Sequence, residues 1–124
     1  MVHVSDPDTG DSMWDNAAFC MGCDHMLFGD GHVTVDLMAH EWGHAIDHNE
    51  GEMFNYGATG ALEESFCDVS AVMLDTSNWT LGEGTPGRGT SRDIANPPAF
   101  GDPDHYLDFV ITSDDNAGVH LGRC

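Results

Sequence analysis

The chain has no lysine, and among its 124 residues only Arg88, Arg92 and Arg123 carry a fixed positive charge. Against them stand 22 acidic residues, for a formal net charge of −19. Phosphate binding needs a basic surface, so this balance excludes nucleic acid as a partner. No apolar run is long enough to span a bilayer, so no membrane partner is expected. Residues 1–11 lack both a basic n-region and an apolar h-region, and no signal peptide is visible. Internal repeats and low-complexity tracts are absent too. The acids are too scattered to belong to metal sites alone. An acidic, lysine-free composition resembles proteins adapted to high salt, where dissolved ions screen self-repulsion.

Cysteine is scarce. Cys20, Cys23, Cys67 and Cys124 allow three disulfide pairings if oxidised. Cys20-x-x-Cys23 has no second C-x-x-C to complete a four-thiolate zinc site, so a disulfide or plain packing is the expectation. Cys67 falls in a helical pattern and reads as a small buried residue.

At this length the chain is one domain with a modest core. Strand character lies near 13–19 and 25–28, followed by the turn Gly29-Asp30-Gly31. A first helix is expected over 34–48, with Leu37, Met38, Ala45 and Ile46 as its apolar face and Gly51 as its stop. Residues 53–60 read as a loop. A second helix is expected over 61–76, where Leu62, Phe66, Val69 and Met73 recur at helical spacing as a core face. Glu64, Asp68 and Asp75 form a carboxylate stripe on the opposite side. Residues 77–103 are rich in Gly, Pro and Thr without periodicity, and so long an irregular stretch implies function or metal tethering. A short helix or strand is expected over 105–111.

The chemistry lies in His40-Glu41-Trp42-Gly43-His44 and in Glu64-Ser65-Phe66-Cys67-Asp68. Residues four apart on a helix sit about 40° from one another, so His40 and His44 point the same way from adjacent turns. Two imidazoles so placed hold one Zn²⁺, and a third protein ligand leaves a position open for water. Glu41, rotated by about 100°, lies beside the metal, where it can take a proton from that water. The pattern reads as a zinc hydrolase.

Six blocks in order carry a resemblance to a family. They are Asp15-Asn16-Ala17, Phe28-Gly29-Asp30-Gly31, His40-Glu41-x-x-His44, Gly60-Ala61-Leu62-Glu63-Glu64 with Asp68, Gly101-Asp102-Pro103-Asp104-His105-Tyr106, and Asp115-Asn116-Ala117-Gly118-Val119-His120. The chain resembles the catalytic core of thermolysin-like zinc metallopeptidases, the gluzincins. That resemblance implies an α+β, zincin-like catalytic core: an active-site helix, a second ligand-bearing helix and a short N-terminal sheet with an edge strand. It implies one truncated unit over 1–124, with an edge-strand region (1–33), a two-helix zinc-binding unit (34–76), and a calcium-binding loop with an oxyanion-histidine segment (77–124).

Further, the resemblance implies zinc on His40, His44 and Glu64, with Glu41 as base and proton shuttle. Asp68 would orient the His40 ring. His120, partnered by Asp115, matches the histidine that donates to the oxyanion. Asn16 and the Ala17 backbone match the edge strand that holds a peptide by strand addition. Arg92 matches an arginine that steadies the substrate carbonyl; a surface ion pair in so acidic a chain is the alternative. Asp36, Asp75, Asn78 and Glu83 match a calcium position whose oxygen ligands suit Ca²⁺, and Thr80 in place of a carboxylate points to one ion rather than a pair.

There are also departures from the family's pattern. Asn55 stands where it places an oxyanion-stabilising tyrosine, with Tyr56 one residue late. The segment 31–36 is short, and flanking domains are missing. The implied activity is a zinc-dependent endopeptidase, acting on peptides or proteins through a metal-bound water with Glu41 as general base, and extracellular by resemblance. Leu37, one turn before His40, is expected to head an apolar pocket for a bulky side chain after the cut. The rival readings are a weakly active or inactive zinc- and calcium-binding fragment, a calcium-stabilised peptide-binding module, and a thiol enzyme using Cys20 and Cys23.

Overall fold

Thr34 opens the helix that carries the paired histidines. Its backbone is extended (φ −109°, ψ 162°) and its hydroxyl accepts from the Leu37 N–H at 3.4 Å, an N-cap that satisfies one of the free donors of the first turn. The helix, α1, runs Val35–Glu50, with Asp36 in its first turn, where a carboxylate is favourable to the helix dipole. It stops at Gly51, whose N–H donates to the Asp47 carbonyl at 2.9 Å. The buried Asp47 carboxylate then takes the Met53 N–H at 2.9 Å and fixes the exit of the chain. In this computed structural model the described residues are 14–51, 53–54, 56–85 and 89–108.

The second helix, α2, spans Gly57–Leu74, starting four residues before the expected boundary and ending two before it. Its first residue, Gly57, has φ +58°, a conformation glycine adopts at little cost, so the helix opens in a stretch that lacks a side-chain cap. Ahead of α1, β1 (Ala17–Cys20) and β2 (His25–Phe28) form an antiparallel hairpin, Ala17 opposite Phe28 and Cys20 opposite His25. A Cys20–Cys23 disulfide closes its turn. β1 lies against α1, and its other edge has no strand partner among the described residues. After α2, the stretch expected to be irregular contains a two-residue antiparallel ladder, β3 (Thr80–Leu81) with β4 (Arg92–Asp93), and a 3-10 turn at Pro97–Phe100. Tyr106–Asp108 forms another 3-10 turn; the rest of the 105–111 segment lies outside the described residues. The architecture is α+β, with two helices and short antiparallel strands.

The expected faces of α2 are reversed. Leu62, Phe66, Val69 and Met73 are exposed, Met73 by 72%, while Glu64 and Asp68 are 3% and 1% exposed. Met38 and Ile46 of α1 are exposed as well. The buried apolar residues are Ala39, Ala61, Cys67, Ala71, Val72, Leu81 and Ile94. Most are small, and that is the physical reason: the two helices approach closely along Ala39, Gly43, Cys67 and Ala71, which turns the carboxylate stripe inward onto the histidines. A Cβ added at Gly43 would lie 2.8 Å from the Cys67 sulfur and 3.0 Å from its Cα.

Gly43→Ala should therefore destabilise the chain by about 1–3 kcal/mol, although alanine is the better helix former. Urea denaturation measures this; a midpoint equal to or above that of the parent chain would contradict the packing described.

Candidate metal centre and cleft

His40 and His44 project from successive turns of α1 towards Glu64 on α2. The two Nε2 atoms are 3.2 Å apart, His40 Nε2 is 3.3 Å from Glu64 Oε2, and His44 Nε2 is 3.5 Å from Glu64 Oε1. Among the described residues this is the one group of three or more His, Cys, Asp or Glu side chains whose ligand atoms converge, all within 4.8 Å. Donors held tetrahedrally about 2.0–2.1 Å from zinc stand about 3.3–3.4 Å from one another, so the three edges suit that ion.

The other side of each ring explains the arrangement. His40 Nδ1 is 2.8 Å from Asp68 Oδ1, and His44 Nδ1 is 2.9 Å from Glu63 Oε1. Each carboxylate accepts from Nδ1–H, which assigns the Nε2 lone pairs of both neutral rings to the centre, facing the Glu64 carboxylate. Three electron-rich groups at such spacing repel unless a cation sits among them. Without a metal the cation is a proton: burial disfavours charge on His40, but the hydrogen bonds to Asp68 and Glu64 outweigh it and raise its pKa from 6.5 to about 9.

Glu41 is 5% exposed, and burial, the largest influence, raises its pKa against the opposing pull of His40 and His44. Its Oε2 is buried without a hydrogen-bond partner, while the Phe19 backbone N–H of β1 donates to the carboxylate. A base so placed is desolvated and tied to the hairpin. Arg92 donates from Nη2 to Asp68 Oδ1 at 2.8 Å, so its partner is a buried carboxylate rather than a surface acid. Cys67 is a fully buried free thiol whose pKa is pushed far up by burial and by the surrounding carboxylates. It is chemically inert.

Around the three ligands is a cleft of about 570 Å³ that includes Asn16, just ahead of β1, and Ala17, its first residue, together with Glu41 and Arg92. Of the calcium candidates, Asp75, Asn78 and Glu83 are joined through Ser77 in a hydrogen-bonded chain, and Asp36 stands apart from it. Asn78 donates to Glu83, Asp75 accepts from the Ser77 hydroxyl at 2.7 Å, Ser77 accepts from Asn78 at 3.2 Å, and the buried Asp36 carboxylate accepts the Gly82 N–H. His120, Asp115 and Asn55 lie outside the described residues.

Among the cleft residues to which the sequence reading gave no role are Glu63, His32 and Thr85. Glu63 sits next to Glu64 in the chain, but adjacency gives no sign that it meets His44; that depends on how the helices cross. His32 and Thr85 lie in irregular segments with no periodicity to place them.

A profile of the thermolysin metallopeptidase alpha-helical domain matches residues 53–122. Bacillolysin from Brevibacillus brevis is 38% identical over 117 residues, covering 85% of this chain and 22% of that protein. An extracellular elastase from Staphylococcus epidermidis is 36% identical, covering 97% of this chain and 25% of its own length. The chain thus spans about a quarter or less of these curated relatives. Among solved structures, the precursor of protealysin, a metalloproteinase from Serratia proteamaculans, superposes with a TM-score of 0.65 at 26% identity, covering 85% of this chain and 41% of that one.

Two measurements follow from the paired rings. A folded-state pKa raised to about 9 adds stability that is fully present below pH 6.5 and lost as pH rises towards 9. The metal-free chain should lose this contribution across that window in melts at stepped pH, and His40→Gln should remove the dependence. Glu63→Ala should weaken zinc binding by about 10–100-fold in chelator competition; unchanged affinity would mean that the Glu63 contact plays no part in holding His44.

Proposed function

Because the chain belongs to the thermolysin metallopeptidase family, we propose that it is a zinc-dependent endopeptidase built on a zincin-like catalytic core. The observation that carries this reading is the convergence of His40, His44 and Glu64, with the buried Glu41 carboxylate beside them. His40, His44 and Glu64 would hold Zn²⁺, which when bound lowers the pKa of a water ligand and polarises a carbonyl.

The chain's own residues supply the rest. Asp68 and Glu63 hold the two rings with Nε2 inward. Arg92 keeps the Asp68 charge compensated where solvent cannot. Glu41 accepts a proton and returns it to the leaving amine; burial raises its pKa above the usual carboxylate value, which makes it a stronger base. The free edge of β1 at Asn16 and Ala17 suits an extended peptide added as a further strand. His120 with Asp115 as oxyanion donor belongs to the same proposal, as does a single Ca²⁺ at Asp36, Asp75, Asn78 and Glu83. Secretion is proposed because one of the relatives is an extracellular elastase.

A second reading, a zinc-binding unit with little turnover, is favoured by the short segment 31–36 leading into α1, which takes residues from the wall of the cleft. A cleft short of walls positions substrate loosely, and loose positioning costs orders of magnitude in rate.

Quenched-peptide hydrolysis decides between them. The zinc-loaded chain should cleave, a chelator should abolish cleavage, and added zinc should restore it. Glu41→Ala should lower kcat by about 10²–10⁴-fold with zinc content unchanged. No cleavage by a zinc-loaded chain favours the second reading. For calcium, melting temperature should rise on adding the ion, and Glu83→Gln should remove the rise; a calcium-independent melt contradicts the site.

A further inference from the structure

The two ends of the cleft differ in chemistry. Towards the C-terminal end of α1 the wall includes Phe19, Met21, Met53 and Phe54. Towards its N-terminal end, Leu37 is joined in the lining by the polar side chains of His32, Thr85, Ser91 and Arg92.

Local structure gathers these four on the His40 side. His32 lies just ahead of α1. The Asp36 carboxylate accepts the Gly82 N–H and pins the chain after β3 onto the first turn of α1. Thr85 folds back over it, donating its N–H to the Gly82 carbonyl at 2.9 Å. The Ser91 hydroxyl donates to the Leu81 carbonyl at 3.1 Å, and Arg92 reaches Asp68. A Cβ added at Gly82 would meet the Ser91 hydroxyl at 3.1 Å, so the segment is closely packed here.

His32 and Thr85 are each 4% exposed; His32 Nε2 lies 3.0 Å from Asp15 Oδ1, but His32 Nδ1, Thr85 Oγ1 and Arg92 Nε have no hydrogen-bond partner. These atoms are already out of contact with solvent; native proteins rarely leave such groups unpaired, and an apolar side chain entering beside them would leave them so. A side chain carrying its own donor and acceptor would relieve them. A carboxylate fits less well, because Arg92 is already matched to Asp68 and the cleft holds Glu41, Glu63 and Glu64.

We propose that the α1 N-terminal end of this cleft selects a substrate residue with an uncharged hydrogen-bonding side chain, an amide or hydroxyl, over a bulky apolar one. The proposal rests on the peptidase reading and names the substrate class of that same site.

The test uses the zinc-loaded chain and two short peptide hydroxamates, identical except for asparagine or leucine beside the metal-binding group. The asparagine ligand should bind about tenfold more tightly or better. Thr85→Val removes an unpartnered hydroxyl at constant volume, so the variant should fold. Thr85→Val and His32→Leu, made separately, should each narrow the preference to about threefold or less. Equal or tighter binding of the leucine ligand overturns the proposal, as does a preference unchanged in both variants, or no binding of either ligand to a chain with zinc in place. Hydrolysis is scored separately. A chain that cleaves peptides but prefers leucine removes this proposal alone, and a chain that takes up no zinc removes both readings.

Discussion

Everything in this structure turns on two imidazoles whose outer nitrogens are held by buried carboxylates. Asp68 holds His40 and Glu63 holds His44, and both acids come from α2 while both rings come from α1. The helix crossing and the metal centre are therefore one feature. To bring these groups into contact the helices must approach closely, and the small residues Ala39, Gly43, Cys67 and Ala71 permit that. Larger side chains at the crossing would push Glu63, Glu64 and Asp68 away from the rings.

The arrangement has an electrostatic consequence. Asp36, Glu41, Asp47, Glu63, Glu64 and Asp68 are all buried, in a chain whose buried apolar side chains are mostly small. Removing a charge from water costs several kcal/mol unless it is paired. Asp36 and Asp47 are satisfied by backbone N–H groups, and Asp68 by His40 and Arg92. Glu64 faces the Nε2 atoms of both rings, 3.3 Å from His40 and 3.5 Å from His44. A cation at that point would lower the energy of the interior, so uptake of a metal would be coupled to folding, and the raised pKa of His40 is the metal-free form of the same demand.

How much of this was legible in the sequence depends on range. Local signals served well: a first helix beginning near Thr34 and stopping at Gly51, strand character near 13–19 and 25–28, and the i, i+4 spacing of His40 and His44 all reappear in the structure. Glu64 and Asp68 could be paired with the histidines only through a resemblance, since nothing in helical periodicity says which carboxylates of a stripe face inward. Periodicity in fact misled. Leu62, Phe66, Val69 and Met73 form the cleaner apolar row and are exposed, because the inner face of α2 is chosen by close approach and charge rather than by hydrophobicity. Glu63, His32 and Thr85 owe their positions to contacts between distant segments, which no local pattern encodes.

X-ray absorption of the zinc-loaded chain is the most direct test of the centre. The account predicts nitrogen and oxygen ligands only, at about 2.0–2.1 Å, with the outer-shell scattering of two imidazoles. A zinc–sulfur distance near 2.3 Å, or a spectrum without imidazole scattering, would contradict it.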